Sequence, residues 1–154
     1  HERSSAASDV YKRQILGGLF AGLTLHRYGL VRNMIAGAIF VPLANIPFIF
    51  LNILGKDINF LILTITIDNF SQGFISVVGI TFLSNLVSKT YTATQYALLF
   101  GLVVIPPNII SSGSGFVVEA YGFQNFFILC ALLGLPAIIL SLMVWRKRSI
   151  FGFD

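Results

Sequence analysis

Residues 58–87 read INFLILTITIDNFSQGFISVVGITFLSNLV, a run in which Asp68 is the single charge. An α-helix needs about twenty apolar residues to cross the hydrocarbon core of a bilayer, and this run has more than enough. At the helical rise it would extend about 45 Å, so tilt or an interfacial end is expected. Thr64, Asp68, Ser71, Gln72, Ser76 and Gly79 fall on one face of a helix with a 3.6-residue period, and the opposite positions are Ile, Leu, Val and Phe. The hydroxyl residues alone fit a helix–helix seam with hydrogen-bonded side chains. A seam does not need a carboxylate. Left charged at mid-bilayer, Asp68 costs at least ~2.5–3.5 kcal/mol. It is therefore a candidate for proton coupling or, as second choice, for direct substrate contact. The bland alternative is an ion pair with a basic residue elsewhere. Ser71, Gln72 and Ser76 are candidates to line the same cavity and to offer Asp68 hydrogen bonds.

Working outward, the whole chain shares this character. Of 154 residues, 56% are hydrophobic and 10% charged, a balance that belongs to polytopic membrane proteins rather than soluble domains. Full spans are expected at 33–54, 58–87, 94–117 and 123–145, and 15–25 reads as the cut end of a further helix. The fold class is thus all-α, a polytopic transmembrane helical bundle over 15–148 with a short tail at 149–154. The first fourteen residues, HERSSAASDVYKRQ, are polar and charged, and composition switches abruptly at Ile15. The stretch SSAASDVYKRQ has the look of a translated library linker. It is expected to be an artefact or disordered, with a genuine polar loop as the alternative. A chain that opens on His1 is also expected to be a piece of a longer protein.

Charge orients the spans. Counting connections alternately, Arg27, Arg32, Lys89, Arg146, Lys147 and Arg148 fall on one side, and Lys56, Asp57 and Glu119 on the other. That asymmetry follows the positive-inside rule. It predicts cytoplasmic loops at 26–32 and 88–93, a cytoplasmic C-terminus, and turns outside at 55–57 and 118–122.

The span 94–117 carries Pro106-Pro107, where two backbone donors are lost at mid-depth. A break is expected there, tolerated only against protein or a water-lined cavity. Asn108, Ser111, Ser112 and Gly115 follow on one face, which makes Asn108, Ser111 and Ser112 further candidates to line a substrate path. A merely kinked packing helix is the alternative. Span 33–54 repeats the signal weakly with Pro42, Asn45 and Pro47. Span 123–145 is bulky and apolar apart from Gly134 and Pro136, and reads as peripheral.

Several functions have no support in these residues. Cys130 is the single cysteine, and both histidines, His1 and His26, lie outside the spans. No metal site, cofactor or catalytic residue is expected. A membrane enzyme would need a nucleophile with a base, or paired carboxylates, within reach. The Gly113-Ser114-Gly115 stretch has no such partner. There is no phosphate-binding loop and nothing that suggests nucleic acid.

Two motifs carry a resemblance. Gly18-Leu-Phe-Ala-Gly22-Leu-Thr-Leu-His26-Arg27-Tyr28-Gly29-Leu-Val-Arg32 is similar to a loop of major facilitator transporters, Gly-x-x-x-Asp-Arg/Lys-x-Gly-x-x-Arg/Lys, between the second and third helices of each half. Gly18, Gly22, Arg27, Gly29 and Arg32 match it, while His26 stands where the family has Asp. Thr92-Ala93-Thr94-Gln95-Tyr96-Ala97-Leu98-Leu99 opens a helix. With Asp68-Asn69-Phe70-Ser71-Gln72-Gly73 before it and Gly115-Phe116-Val117-Val118-Glu119-Ala120-Tyr121-Gly122 after it, the chain resembles the AmpG muropeptide permease family from about Gly17 to Trp145. Ala93, Thr94, Gln95 and Tyr96 carry the most specific element, which related acetyl-coenzyme A transporters share.

The resemblance implies the C-terminal part of a major facilitator fold, the end of helix eight and helices nine to twelve, whose partner is a missing N-terminal half. It implies a proton-driven importer of anhydro-muropeptides in the bacterial inner membrane, feeding peptidoglycan recycling. Its partners would be the small molecule, protons and the lipid bilayer. The alternatives are a transporter of another solute and a non-transporting membrane scaffold.

Overall fold

The computed structural model describes residues 2–54, 57–87 and 92–147. They form six helices, α1 (Glu2–Tyr28), α2 (Leu30–Leu54), α3 (Ile58–Leu86), α4 (Thr92–Ser112), α5 (Ser114–Tyr121) and α6 (Phe123–Arg146), with no strand among the described residues. The all-α expectation holds. Four stretches are long and apolar enough to cross a membrane: Leu30–Leu51, Ile58–Leu86, Ala93–Tyr121 and Phe123–Arg146.

Each boundary has a local cause. Asp57 caps α3, its carboxylate accepting from the backbone N–H groups of Asn59 at 2.9 Å and Phe60 at 3.4 Å. Gly29 separates α1 from α2 with a φ of +79°, and Gly122 separates α5 from α6 with a φ of +81°. Both sit in the left-handed region that glycine enters without steric cost.

Two boundaries differ from the sequence reading. Helix α4 runs through Pro106 and Pro107, and the break falls at Gly113, whose N–H donates to the Ile110 carbonyl at 3.1 Å. The prolines do remove the donors that would reach the Leu102 and Val103 carbonyls. Their fixed φ is nonetheless helical, so neighbouring turns carry the helix across. The tight turn at Gly113 then ends it. At the other end of the chain, α1 extends upstream of Ile15 to Glu2, so the segment read as a linker continues the helix. The Gln14 carbonyl packs on Gly73, which places Lys12 and Arg13 close to the level of the middle of α3.

Packing arranges α1, α3, α2 and α6 as a row. Helix α3 lies against both α1 and α2, α2 in turn against α6, and α4 meets only α3 and α5 among the described residues. Helix α2 is antiparallel to both neighbours. Phe40 meets the Phe74 ring edge-on at 5.4 Å. Phe48 stacks on Phe127 at 4.7 Å, while Gly134 lies under the Pro42 ring. The α1–α3 crossing is the closest. A Cβ on Gly17 would run into the Phe70 carbonyl, and one on Gly73 into the Gln14 carbonyl, so two backbones touch where side chains are absent. Beside this crossing Ala21, Phe74 and Val78 form the buried core.

Candidate functional site

Asp68 lies midway along α3 and is half-buried. The Gln72 side-chain amide lies one turn further on, within electrostatic reach of its carboxylate. Gln72 also lines a cleft of about 340 Å³ between α2, α3 and α6, with Met34, Pro42, Gly79 and Ser141 among its walls. A carboxylate held by an amide beside an apolar cleft can keep a hydrogen-bond partner in either protonation state, because an amide offers both donor and acceptor.

The other stripe residues separate. Ser71 is buried, its hydroxyl donating to the Ile67 carbonyl at 2.9 Å. It lines a different cleft of about 420 Å³, shared with Phe40, Leu43, Pro47 and Phe70. Thr64 is buried too, and donates to the Phe60 carbonyl at 2.8 Å. Ser76 is exposed and donates to the Gln72 carbonyl at 2.7 Å. Of the three residues expected beside Asp68, Gln72 alone keeps its side chain within reach of the carboxylate. Ser71 and Ser76 spend their hydroxyls on the preceding helical turn, the usual local option for a hydroxyl in a helix, and the α2–α3 seam claims Ser71.

Helix α4 contributes nothing to this cluster within the described chain. Asn108, Ser111 and Ser112 are exposed. The two serine hydroxyls bond within the helix, to the Asn108 carbonyl at 3.1 Å and the Ile109 carbonyl at 2.7 Å. The element Ala93–Tyr96 opens α4, and Tyr96 stacks on Phe100 at 6.1 Å.

The loop motif is organised around a residue outside it. Asn33 is buried, and its amide donates to the Thr24 carbonyl at 3.0 Å and the Gly29 carbonyl at 2.7 Å. It thereby ties the end of α1 to the start of α2. Its signal in the sequence was one polar residue just past Arg32 in an otherwise apolar run. Of the motif glycines, Gly29 supplies the turn, and a methyl on Gly18 would come 3.2 Å from the Val77 Cγ2. A methyl on Gly22 would meet nothing within 4 Å. The closest helix approach falls instead on Gly17 and Gly73, which the motif does not contain. Arg27 lies over the Tyr28 ring at 5.6 Å, and Arg32 is exposed.

Antiparallel packing of α2 with α3 and α6 collects Arg27, Arg32 and Arg146 at one end of the row and Asp57 and Glu119 at the other. Lys56, Lys89 and Arg148 lie outside the described residues.

These features define a polytopic helical membrane protein with a carboxylate midway along one of its spans. No protein-family model matches the sequence. Individual relatives do. The chain is 32% identical over 133 residues to "Putative transporter AmpG 1" of Rickettsia felis, covering 86% of this chain and 30% of that protein. It is 29% identical over 136 residues to "Putative transporter AmpG 4" of Rickettsia conorii, covering 88% and 33%. It is 27% identical over 137 residues to "Putative transporter AmpG 3" of Rickettsia prowazekii, covering 89% and 32%. The chain is an AmpG-family segment, and it spans about a third of the length of the curated relatives it matches.

Proposed function

We propose that the protein containing this chain is a secondary active transporter that imports anhydro-muropeptides with protons across the bacterial inner membrane. In that reading Asp68 is the proton-coupling group and Gln72 its partner. The basic end of the helical row, with the C-terminus, faces the cytoplasm. The observation that carries the proposal is the Asp68–Gln72 pair at the middle of α3, a carboxyl group kept in an apolar span at a cost that packing alone does not require. The names of the relatives, transporter AmpG in each case, support the class. Asn108, Ser111 and Ser112 stay candidates for the substrate path, since they sit on an apolar helix whose polar stripe finds no neighbour among the described helices.

The test is uptake of labelled muropeptide by cells expressing the complete gene, with and without a proton gradient. Asp68→Asn is expected to leave the protein inserted and abolish gradient-driven accumulation, while Asp68→Glu keeps part of it. Undiminished accumulation by the Asn variant would overturn the coupling role. Gradient-driven uptake of a different solute, with none of muropeptide, would overturn the substrate.

A further inference from the structure

A third cleft opens at the basic end of the row, between the last turns of α1 and the first turns of α2. It encloses about 300 Å³. Its floor is aromatic. Phe20, Phe40 and Phe74 line it, and the buried Phe74 ring sits 6.3 Å from Phe20 and 5.4 Å from Phe40. Its mouth is cationic and polar. Tyr28, Arg32 and Asn33 line the rim, with Arg27 against the Tyr28 ring. Phe40 follows Arg32 by eight residues along α2, so the cleft runs about 12 Å from its charged rim toward mid-bilayer.

Two further facts narrow the occupant. The Asn33 amide is already committed to two carbonyls, which leaves Arg32 and the Tyr28 hydroxyl as the donors at the rim. The described carboxylates lie elsewhere: Asp57 and Glu119 at the opposite end and Asp68 at mid-span. Among the described residues the rim is therefore a site of uncompensated positive charge over a hydrocarbon-compatible floor.

We infer that this cleft binds an anionic phospholipid, one acyl chain lying against Phe20, Phe40 and Phe74 and the phosphate on Arg32, with Arg27 alongside. A guanidinium meets phosphate oxygens with paired hydrogen bonds, and basic pockets between transmembrane helices hold anionic headgroups for this reason. A soluble anion would have no use for the aromatic floor. A zwitterionic lipid brings its own ammonium, which competes with Arg32 for the phosphate.

The test places the full-length protein in phosphatidylcholine nanodiscs with a small share of phosphatidylglycerol carrying a photoactivatable group in its acyl chain. Adducts are then mapped by peptide mass spectrometry. Labelling is expected within 20–40, about fivefold above that from a matched phosphatidylcholine probe, the worth of one basic residue beside an anionic surface. Arg32→Gln should lower it to the phosphatidylcholine level and Arg32→Lys keep most of it. Ala36→Trp, which fills the cleft, should remove labelling by both probes at this site. Adducts on the exposed Leu132 and Leu140 of α6 should not change in any variant, which separates a lost site from a lost fold. Should Ala36→Trp fail that control, the Gln and Lys variants decide the matter by themselves. Equal labelling by the two headgroups, or full labelling of Arg32→Gln, would overturn the proposal. So would displacement of the probe by inorganic phosphate, which would point to a soluble anion. None of these readouts depends on the transported solute.

Discussion

Asn33 shows what a single amide can do where water is scarce. Its two donors reach the Thr24 carbonyl in the last turn of α1 and the Gly29 carbonyl between the two helices, at 3.0 and 2.7 Å, and so bridge them. Asn33→Ala is expected to destabilise the protein by about 1–3 kcal/mol, the net worth of two lost buried hydrogen bonds. Asn33→Asp should be worse, because it sets an acceptor against two acceptors. Thermal unfolding in detergent checks the order: wild type, then Ala, then Asp. An Asp variant as stable as wild type would remove the brace from the account. Asp68 is the opposite case, a residue whose type announces a function while its neighbours decide the form. Its spacing from Gln72 was legible as one turn of helix. That Ser71 and Ser76 would turn to their own backbone was not, since a hydroxyl in a helix can choose either partner.

At the scale of elements, the α1–α3 crossing brings two backbones into contact. The atoms facing Gly17 and Gly73 are backbone carbonyls, which cannot swing aside as a side chain can. Gly73→Ala and Gly17→Ala should each cost about 1–3 kcal/mol, as overpacking does. Gly22→Ala should be tolerated, because the space beside it is open. Unfolding of the three variants under one condition makes the comparison. If Gly22→Ala proved the most damaging of the three, the crossing would be misplaced. Helix α4 carries a related lesson. Consecutive prolines mark a weakened ladder, yet the helix is interrupted only at Gly113, six residues further on. Proline withdraws a bond and leaves φ helical, so it weakens a helix without having to end it.

For the whole molecule, the positive-inside pattern becomes a statement about space. The antiparallel packing of α2 against α3 and α6 gathers Arg27, Arg32 and Arg146 at one end. With Cys130 replaced by Ala, a cysteine at Asp57 should label with an impermeant reagent from outside intact cells. A cysteine at Arg32 should label only after the membrane is opened. The reverse labelling would invert the orientation. Helices α4 and α5 stand largely clear of the row, in keeping with a chain that spans about a third of its relatives' length.

By itself the sequence determined the class, the number of full spans, their alternation and the one carboxylate worth explaining. These are properties of composition along a line: apolar length sets which segments leave water, and loop charge sets their direction. It also determined the relationship to AmpG transporters, through the motifs at 68–73, 92–99 and 115–122. Tertiary structure alone decided which side of each helix meets which neighbour. Inside a bilayer, lipid and protein are both apolar, so hydrophobicity does not tell a packed face from a lipid-facing one. Contact there depends on fit between surfaces. That is why the roles of Gly17, Gly73 and Asn33, and the division of the α3 stripe between two clefts, emerged only once the helices were placed against one another.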